Sequence, residues 1–229
     1  MTDHTEVTDN LHRGSVIVLD LDLTLLCTDH EDDSIPYRPL RMHGDKPHPL
    51  VRRSHMYSFH LFGPTCEREC TMYGCFRPGY RQFLHWARKN FDYVVVWSAG
   101  RRAYVHELVT KIWKGMKPPD LVMTFNDLGL NGDIYTKPLV KVSKLLNTSL
   151  DQILLIDDNP QVSVDNPNNT VLIPEYDPAS EDRELWRLIE MLEERKIWES
   201  QDYASMGLRN MMREEPVVDR SHYQVLTEE

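Results

Sequence analysis

The chain has 229 residues, 41% hydrophobic and 27% charged, with a net charge of −10 at pH 7, the balance of a soluble globular protein of one domain with a modest insertion. Its 14 Pro and 10 Gly exclude a collagen-like or wholly disordered chain, and four Cys are too few for a disulfide scaffold. The longest apolar runs, such as Tyr93 to Trp97 and Ile153 to Ile156, fall far short of the ~20 residues that cross a bilayer, so no membrane association is expected.

Met1 to Gly14 carries acids instead of a signal peptide, which points to a cytosolic or nuclear protein with reduced thiols. The first element is Val16 to Leu19, a short apolar run of the kind that forms a buried parallel strand. It leads directly into Asp20-Leu21-Asp22-Leu23-Thr24. Period two points the two Asp side chains the same way while the chain stays extended, although the turn after the strand can re-aim the second. Two such carboxylates repel unless a cation joins them, and a hard ion such as Mg2+ suits an all-oxygen site that also meets a substrate phosphate. Taken alone, the same residues also fit a solvated Asp-rich turn.

Cys27 to Arg77, about fifty residues, is too long for a connection from strand to helix. Alternating Tyr57, Phe59 and Leu61, among five Pro, predict a small insertion with a β-hairpin or short sheet above the carboxyl end of the first strand. Ligands of open α/β sheets bind at that edge. The insertion holds His43, His48, His55, His60, Cys66, Cys70 and Cys75. The spacing Cys66-x3-Cys70-x4-Cys75 lacks the tight two-residue knuckle of a zinc finger and reads as reduced thiols beside surface imidazoles.

Beyond the insertion, helical spacing of Tyr80, Phe83, Leu84 and Ala87 is followed by a strand at Tyr93 to Trp97 that ends in Ser98-Ala99-Gly100. The Ser98 hydroxyl and the adjacent N–H groups could receive phosphate oxygens; the plainer role of such a Ser is a helix cap. Val105, Leu108, Val109 and Ile112 mark a second helix, Leu121 to Met123 a strand, and Leu139, Val142, Leu145 and Leu146 a third helix. Just before it stands Lys137-Pro138, a cation that could neutralise a phosphoryl group if the fold brings it to the carboxylates. Strands at Ile153 to Ile156, running into Asp157-Asp158-Asn159-Pro160, and at Val171 to Ile173 complete the alternation, which means α/β with a parallel sheet. A last helix is expected around Leu185, Leu188, Ile189 and Leu192, with acids near Ser180 to Asp182 at its positive end. The region after Arg195 is polar, acidic and weakly periodic. The expected division is a tail at 1–13, a catalytic domain at 14–195 with its insertion at about 28–77, and an acidic extension at 196–229. Between Arg38 and Lys114 the net charge is +9 inside an otherwise acidic chain, which argues against stable nucleic-acid binding and for a local site that attracts an anion.

Asp20-Leu21-Asp22-Leu23-Thr24, Ser98, Lys137 and Asp157-Asp158 resemble, in this order, the four motifs of the haloacid dehalogenase superfamily of phosphotransferases. Arg77-Pro78-Gly79, Trp97-Ser98-Ala99-Gly100 and Asp157-Asp158-Asn159-Pro160 are similar to the phosphatases of the RNA polymerase II carboxyl-terminal tail, the NLI-interacting-factor-like group. The likeness covers Val16 to about Leu192 and departs from that group at Leu23, where many members have Glu, and at Asp158, where many have Asn.

The resemblance implies a Rossmann-like parallel sheet flanked by helices and a Mg2+-dependent phosphatase. Asp20 would be the nucleophile that forms an aspartyl phosphate, and Asp22 the acid and then the base. Mg2+ would be held by Asp20, the backbone carbonyl of Asp22, and Asp158, with Asp157 beside them. Ser98 and Lys137 would bind the phosphoryl group, and Thr24, counted with them, would hydrogen-bond within its own turn. The substrate implied is a phosphoserine or phosphothreonine peptide. Alternatives are a phosphorylated metabolite, a nucleotide, phosphotyrosine, a nucleic-acid end, or a binding module without catalysis.

Overall fold

A computed structural model describes residues 14–30, 56–63, 66–178 and 180–213 of the chain. Its centre is a five-stranded parallel sheet in the order β10-β9-β1-β5-β6, formed by β1 (Val16–Leu19), β5 (Tyr93–Trp97), β6 (Leu121–Met123), β9 (Ile153–Asp157) and β10 (Thr170–Leu172). These are the five apolar runs read from the sequence. Period two splits them between two layers. Ile17, Leu19, Val94, Val96, Leu154 and Ile156 pack with α1 (Tyr80–Asn90), α2 (Arg102–Ile112) and α4 (Glu184–Glu194). Val16, Val18, Val95, Trp97, Ile153 and Leu155 face the other way, against Leu139 and α3 (Val140–Leu146). Covering on both faces explains why the strands are continuous apolar runs, not alternating ones.

The insertion is a three-stranded antiparallel sheet in the order β2-β4-β3, with β2 at Leu26–His30, β3 at Met56–Gly63 and β4 at Cys66–Phe76. The expected short sheet is present. Phe59 and Phe76 join the main core, so the insertion is anchored to α1 and α2 by its aromatic face. Cys75 is buried, its Sγ 3.4 Å from the Tyr176 hydroxyl, and His60 is exposed. His43, His48 and His55 lie outside the described residues, and the side chains of Cys66 and Cys70 do as well.

Arg77 links the insertion to the sheet edge. It is fully buried, paired with Asp182 through Nε and Nη2 at 2.7–3.0 Å, and donates to the carbonyls of Thr24 at 3.0 Å and Pro174 at 2.8 Å. Two residues on, Gly79 starts α1 with a left-handed φ of 81°, and a Cβ there would lie 2.8 Å from the Trp186 ring, so glycine is required on both counts. Asp182 also accepts from the Glu184 N–H at 3.2 Å, which satisfies a donor at the start of α4.

Two features were not in the sequence reading. A hairpin of β7 (Gly129–Asn131) and β8 (Ile134–Thr136) precedes Lys137. After α4, three 3-10 turns, Ile197–Glu199, Tyr203–Met206 and Leu208–Arg213, bury Ile197, Tyr203, Leu208, Met211 and Met212 in the main core. No helix among the described residues is long and apolar enough to cross a membrane.

Candidate active site

The chemistry-bearing residues converge at the carboxyl edge of β1, β5 and β9. Asp20 follows β1, Asp157 ends β9 and Asp158 follows it, while the Asp20 N–H donates to the Ile156 carbonyl at 3.1 Å. The ladder is thereby extended one residue, and the two acidic strand ends lie side by side. Ligand oxygens of Asp20, Asp157 and Asp158 all lie within 4.8 Å of one another. Lys137 enters between them, its Nζ 2.5 Å from Asp20 Oδ1 and 2.7 Å from Asp157 Oδ2. Its backbone is pinned by Lys137 N–H to Val162 O at 2.8 Å and by Asn166 Nδ2 to Lys137 O at 3.0 Å.

The turn after β1 decides what the remaining motif residues do. Leu23 takes a left-handed φ of 61°, a conformation that costs a non-glycine residue about 1–2 kcal/mol. Hydrogen bonds on both sides hold it: Leu23 N–H to Leu26 O, and Tyr176 N–H to Leu23 O, each at 2.7 Å. Asp22 precedes that turn, in an isolated bridge with Leu26, and its side chain accepts a hydrogen bond at Oδ1 from the Tyr104 hydroxyl, with the Thr28 hydroxyl also bonding to this carboxyl. Thr24 closes on its own turn through its backbone N–H, which donates to Leu21 O at 3.3 Å, while its buried hydroxyl donates to Asp158 Oδ1 at 2.8 Å. Ser98, buried at the end of β5, does not cap α2, whose cap residue is Arg101. The Ser98 Oγ accepts from the Gly100 N–H at 3.0 Å.

Burial governs the electrostatics. Asp20 is 7% exposed, and Lys137 and Asp157 are 1% exposed each. Desolvation pushes the Asp20 carboxyl up, Lys137 opposes this, and the charges of Asp157 and Asp158 reinforce it. For Asp158, burial and then the Asp157 charge raise the carboxyl to about 6, with the Thr24 hydroxyl pulling it back down. Asp22 is raised mainly by burial, against the hydrogen bond from Tyr104. Burial opposes the charged form of Lys137, but Asp157 and Asp20 overcome that penalty and hold it protonated. The cluster therefore carries more negative charge than its single cation neutralises, which is the donor set and the electrostatic demand of a hard divalent cation.

The profile of the NLI interacting factor-like phosphatases matches residues 15–203, a span that holds every residue of this cluster. The chain belongs to the NLI interacting factor-like phosphatase family. The family is one of phosphoric monoester hydrolases, and two solved structures are similar to this chain in fold. One is fission yeast Fcp1, an RNA polymerase II CTD phosphatase, in a variant bound to beryllium fluoride: 22% identity, TM-score 0.53, 86% of this chain and 53% of that one. The other, also Fcp1, is described as an essential RNA polymerase II CTD phosphatase: 23% identity, TM-score 0.54, 89% of this chain and 58% of that one. This chain thus spans a little over half the length of each. No curated protein matches the sequence significantly.

In this NLI interacting factor-like phosphatase the cluster contains Asp20, Thr24, Lys137, Asp157 and Asp158, whereas Asp22 is bound instead to α2 and Ser98 to its own loop. Tyr104 was absent from the sequence reading. It adjoins the apolar stripe of Val105, Leu108, Val109 and Ile112, and a Tyr beside a buried stripe needs a partner for its hydroxyl. That rule signals a partner without identifying it.

Proposed function

We propose that the protein is a Mg2+-dependent phosphatase that works through an aspartyl phosphate on Asp20, acting on phosphoserine or phosphothreonine peptides of the RNA polymerase II tail type. The observation that carries the reading is the buried Asp20–Lys137–Asp157 bridge, with Asp158 in ligand range, at the strand ends of a family of phosphatases. The substrate class is carried over from Fcp1, described as acting on that tail.

Asp20, Asp157 and Asp158, with the Asp22 backbone carbonyl, would hold Mg2+, and the clustered carboxylate oxygens fit it. When bound, the ion neutralises charge on the carboxylates and on the phosphoryl oxygens. Asp20, ionised, attacks phosphorus; its O–P bond forms as the ester P–O bond breaks. Asp22, whose carboxyl burial shifts toward the protonated form, gives its proton to the departing oxygen and is left as a carboxylate. The Asp22 carboxylate then takes a proton from water, whose oxygen attacks phosphorus and breaks the bond to Asp20, releasing phosphate and restoring both side chains. Lys137 favours the anionic form of Asp20 against the burial that opposes it and holds it in place, and Ser98 and Lys137 orient the phosphoryl oxygens. Thr24, counted with the phosphate-binding residues by resemblance, acts through Asp158 in this geometry.

The test is a panel of phosphoserine and phosphothreonine heptad peptides, phosphotyrosine, a sugar phosphate and a nucleoside monophosphate, each with Mg2+ or with chelator. Expected is kcat/KM at least tenfold higher on the heptad peptides and loss of activity with chelator. Preference for a small metabolite would overturn the substrate class, and hydrolysis of no member would overturn the enzyme.

A further inference from the structure

The side chain assigned to proton transfer is gripped from outside the motifs. Tyr104, in the first turn of α2, donates to Asp22 Oδ1. Its ring is fixed by packing that owes nothing to that hydrogen bond. On one side is Gly100, where a Cβ would lie 2.6 Å from Tyr104 Cδ1 and 3.0 Å from Cε1. On another is Phe59 of the insertion sheet, its ring centroid 6.0 Å away and tilted at 42°. The loop after β5, the start of α2 and the insertion thus place the Tyr104 hydroxyl on Asp22, beside a second hydroxyl from Thr28 of β2.

We propose that Tyr104 is a positioning residue for the acid–base step: by fixing Asp22 Oδ1 it leaves Oδ2 as the oxygen that carries the proton and sets its direction. This rests on the aspartyl-phosphate reading above. In the first half-reaction the proton on Oδ2 passes to the ester oxygen as the P–O bond breaks, and that bond's electron pair stays with the departing oxygen. Asp22 is left anionic, accepting from Tyr104. A carboxyl held by Thr28 alone is freer to rotate about its terminal torsion, which is broad and twofold, and presents its proton correctly for less of the time. An alkoxide leaving group, which cannot depart unprotonated, should feel the loss; a nitrophenolate, which can, should not.

The experiment uses the full chain with Mg2+ and compares wild type, Asp22→Asn, Tyr104→Phe and the double variant. The readout is single-turnover release of the leaving group at saturating enzyme, which isolates the first phosphoryl transfer from substrate affinity and from the second half-reaction. The substrates are a phosphoserine peptide and 2,4-dinitrophenyl phosphate. Tyr104→Phe is expected to slow the peptide reaction by about 10- to 100-fold, part of the ~10²–10⁴ that general acids supply. The aryl phosphate rate should stay within about threefold of wild type, and Tyr104→Phe should cost nothing further in the Asp22→Asn background, as two residues acting in one step require. Equal losses on both substrates, an unchanged peptide rate, or a further loss added to Asp22→Asn would overturn the proposal. If wild type releases neither leaving group, or Asp22→Asn is unselective, the aspartyl-phosphate reading fails and takes this one with it. Selective loss in Asp22→Asn without it in Tyr104→Phe removes only the role of Tyr104.

Discussion

Lys137 is a cation enclosed by two carboxylates at the edge of a dry sheet, and its replacement separates its two contributions. Lys137→Met leaves Asp20 and Asp157 buried without a partner, and breaking a buried pair in this way costs about 3–5 kcal/mol. Thermal melting without metal should show a fall of several degrees, and Mg2+ should recover part of it but not the activity. At Asp158 the sign runs with pH. Its folded carboxyl sits at about 6 against an ordinary 3.8, so the folded form holds the proton more tightly. The stability this group contributes is present below about pH 4 and lost as pH rises through 6. The metal-free protein should therefore lose melting temperature between pH 4 and 7, Asp158→Asn should flatten that fall, and the gain from Mg2+ should be larger at pH 7 than at pH 5, because proton and metal compete. A Mg2+ shift of equal size in Asp158→Asn and wild type would remove Asp158 from the metal site.

The elements divide by how local their cause is. The five strands and four helices were legible because a buried parallel strand and an amphipathic helix write their burial directly into spacing: Val16–Leu19 and Leu185, Leu188 and Leu192 are examples. The Asp20 and Asp157-Asp158 strand ends were legible for the same reason, since a strand of known end places its next residue. The side-chain partners of Asp22 and Thr24 were not, because Tyr104 and Asp158 lie 82 and 134 positions away along the chain. Within the expected insertion sheet the bounds of β4 were not legible, because Cys66–Phe76 mixes charge and small residues; its strand is fixed by pairing with β2 and β3, not by its own pattern. The turns after α4 were missed because 3-10 segments carry no helical stripe, although Tyr203, Leu208 and Met211 are fully buried. That burial makes a prediction: Met211→Ala should cost about 2–5 kcal/mol in denaturant unfolding, whereas a cost near zero would mean that this turn is not part of the core.

At the scale of the molecule, sheet, insertion and final turns meet at one edge, and Arg77 is where they join: it binds Asp182 ahead of α4, the Thr24 carbonyl of the motif turn and the Pro174 carbonyl after β10. At that edge one buried cation, Lys137, stands among three carboxylates, Asp20, Asp157 and Asp158, that could hold a metal ion. The central claim is that phosphate passes through a covalent bond to Asp20. It is tested by acid-quenching the enzyme during turnover of a 32P-labelled phosphoserine peptide in Mg2+ and mapping the label by proteolysis. A hydroxylamine-labile phosphate on the peptide containing Asp20, absent in a folded and inactive Asp20→Asn, is the expected result. An Asp20→Asn protein that retains more than a few per cent of wild-type turnover, or label on any other residue, would contradict it.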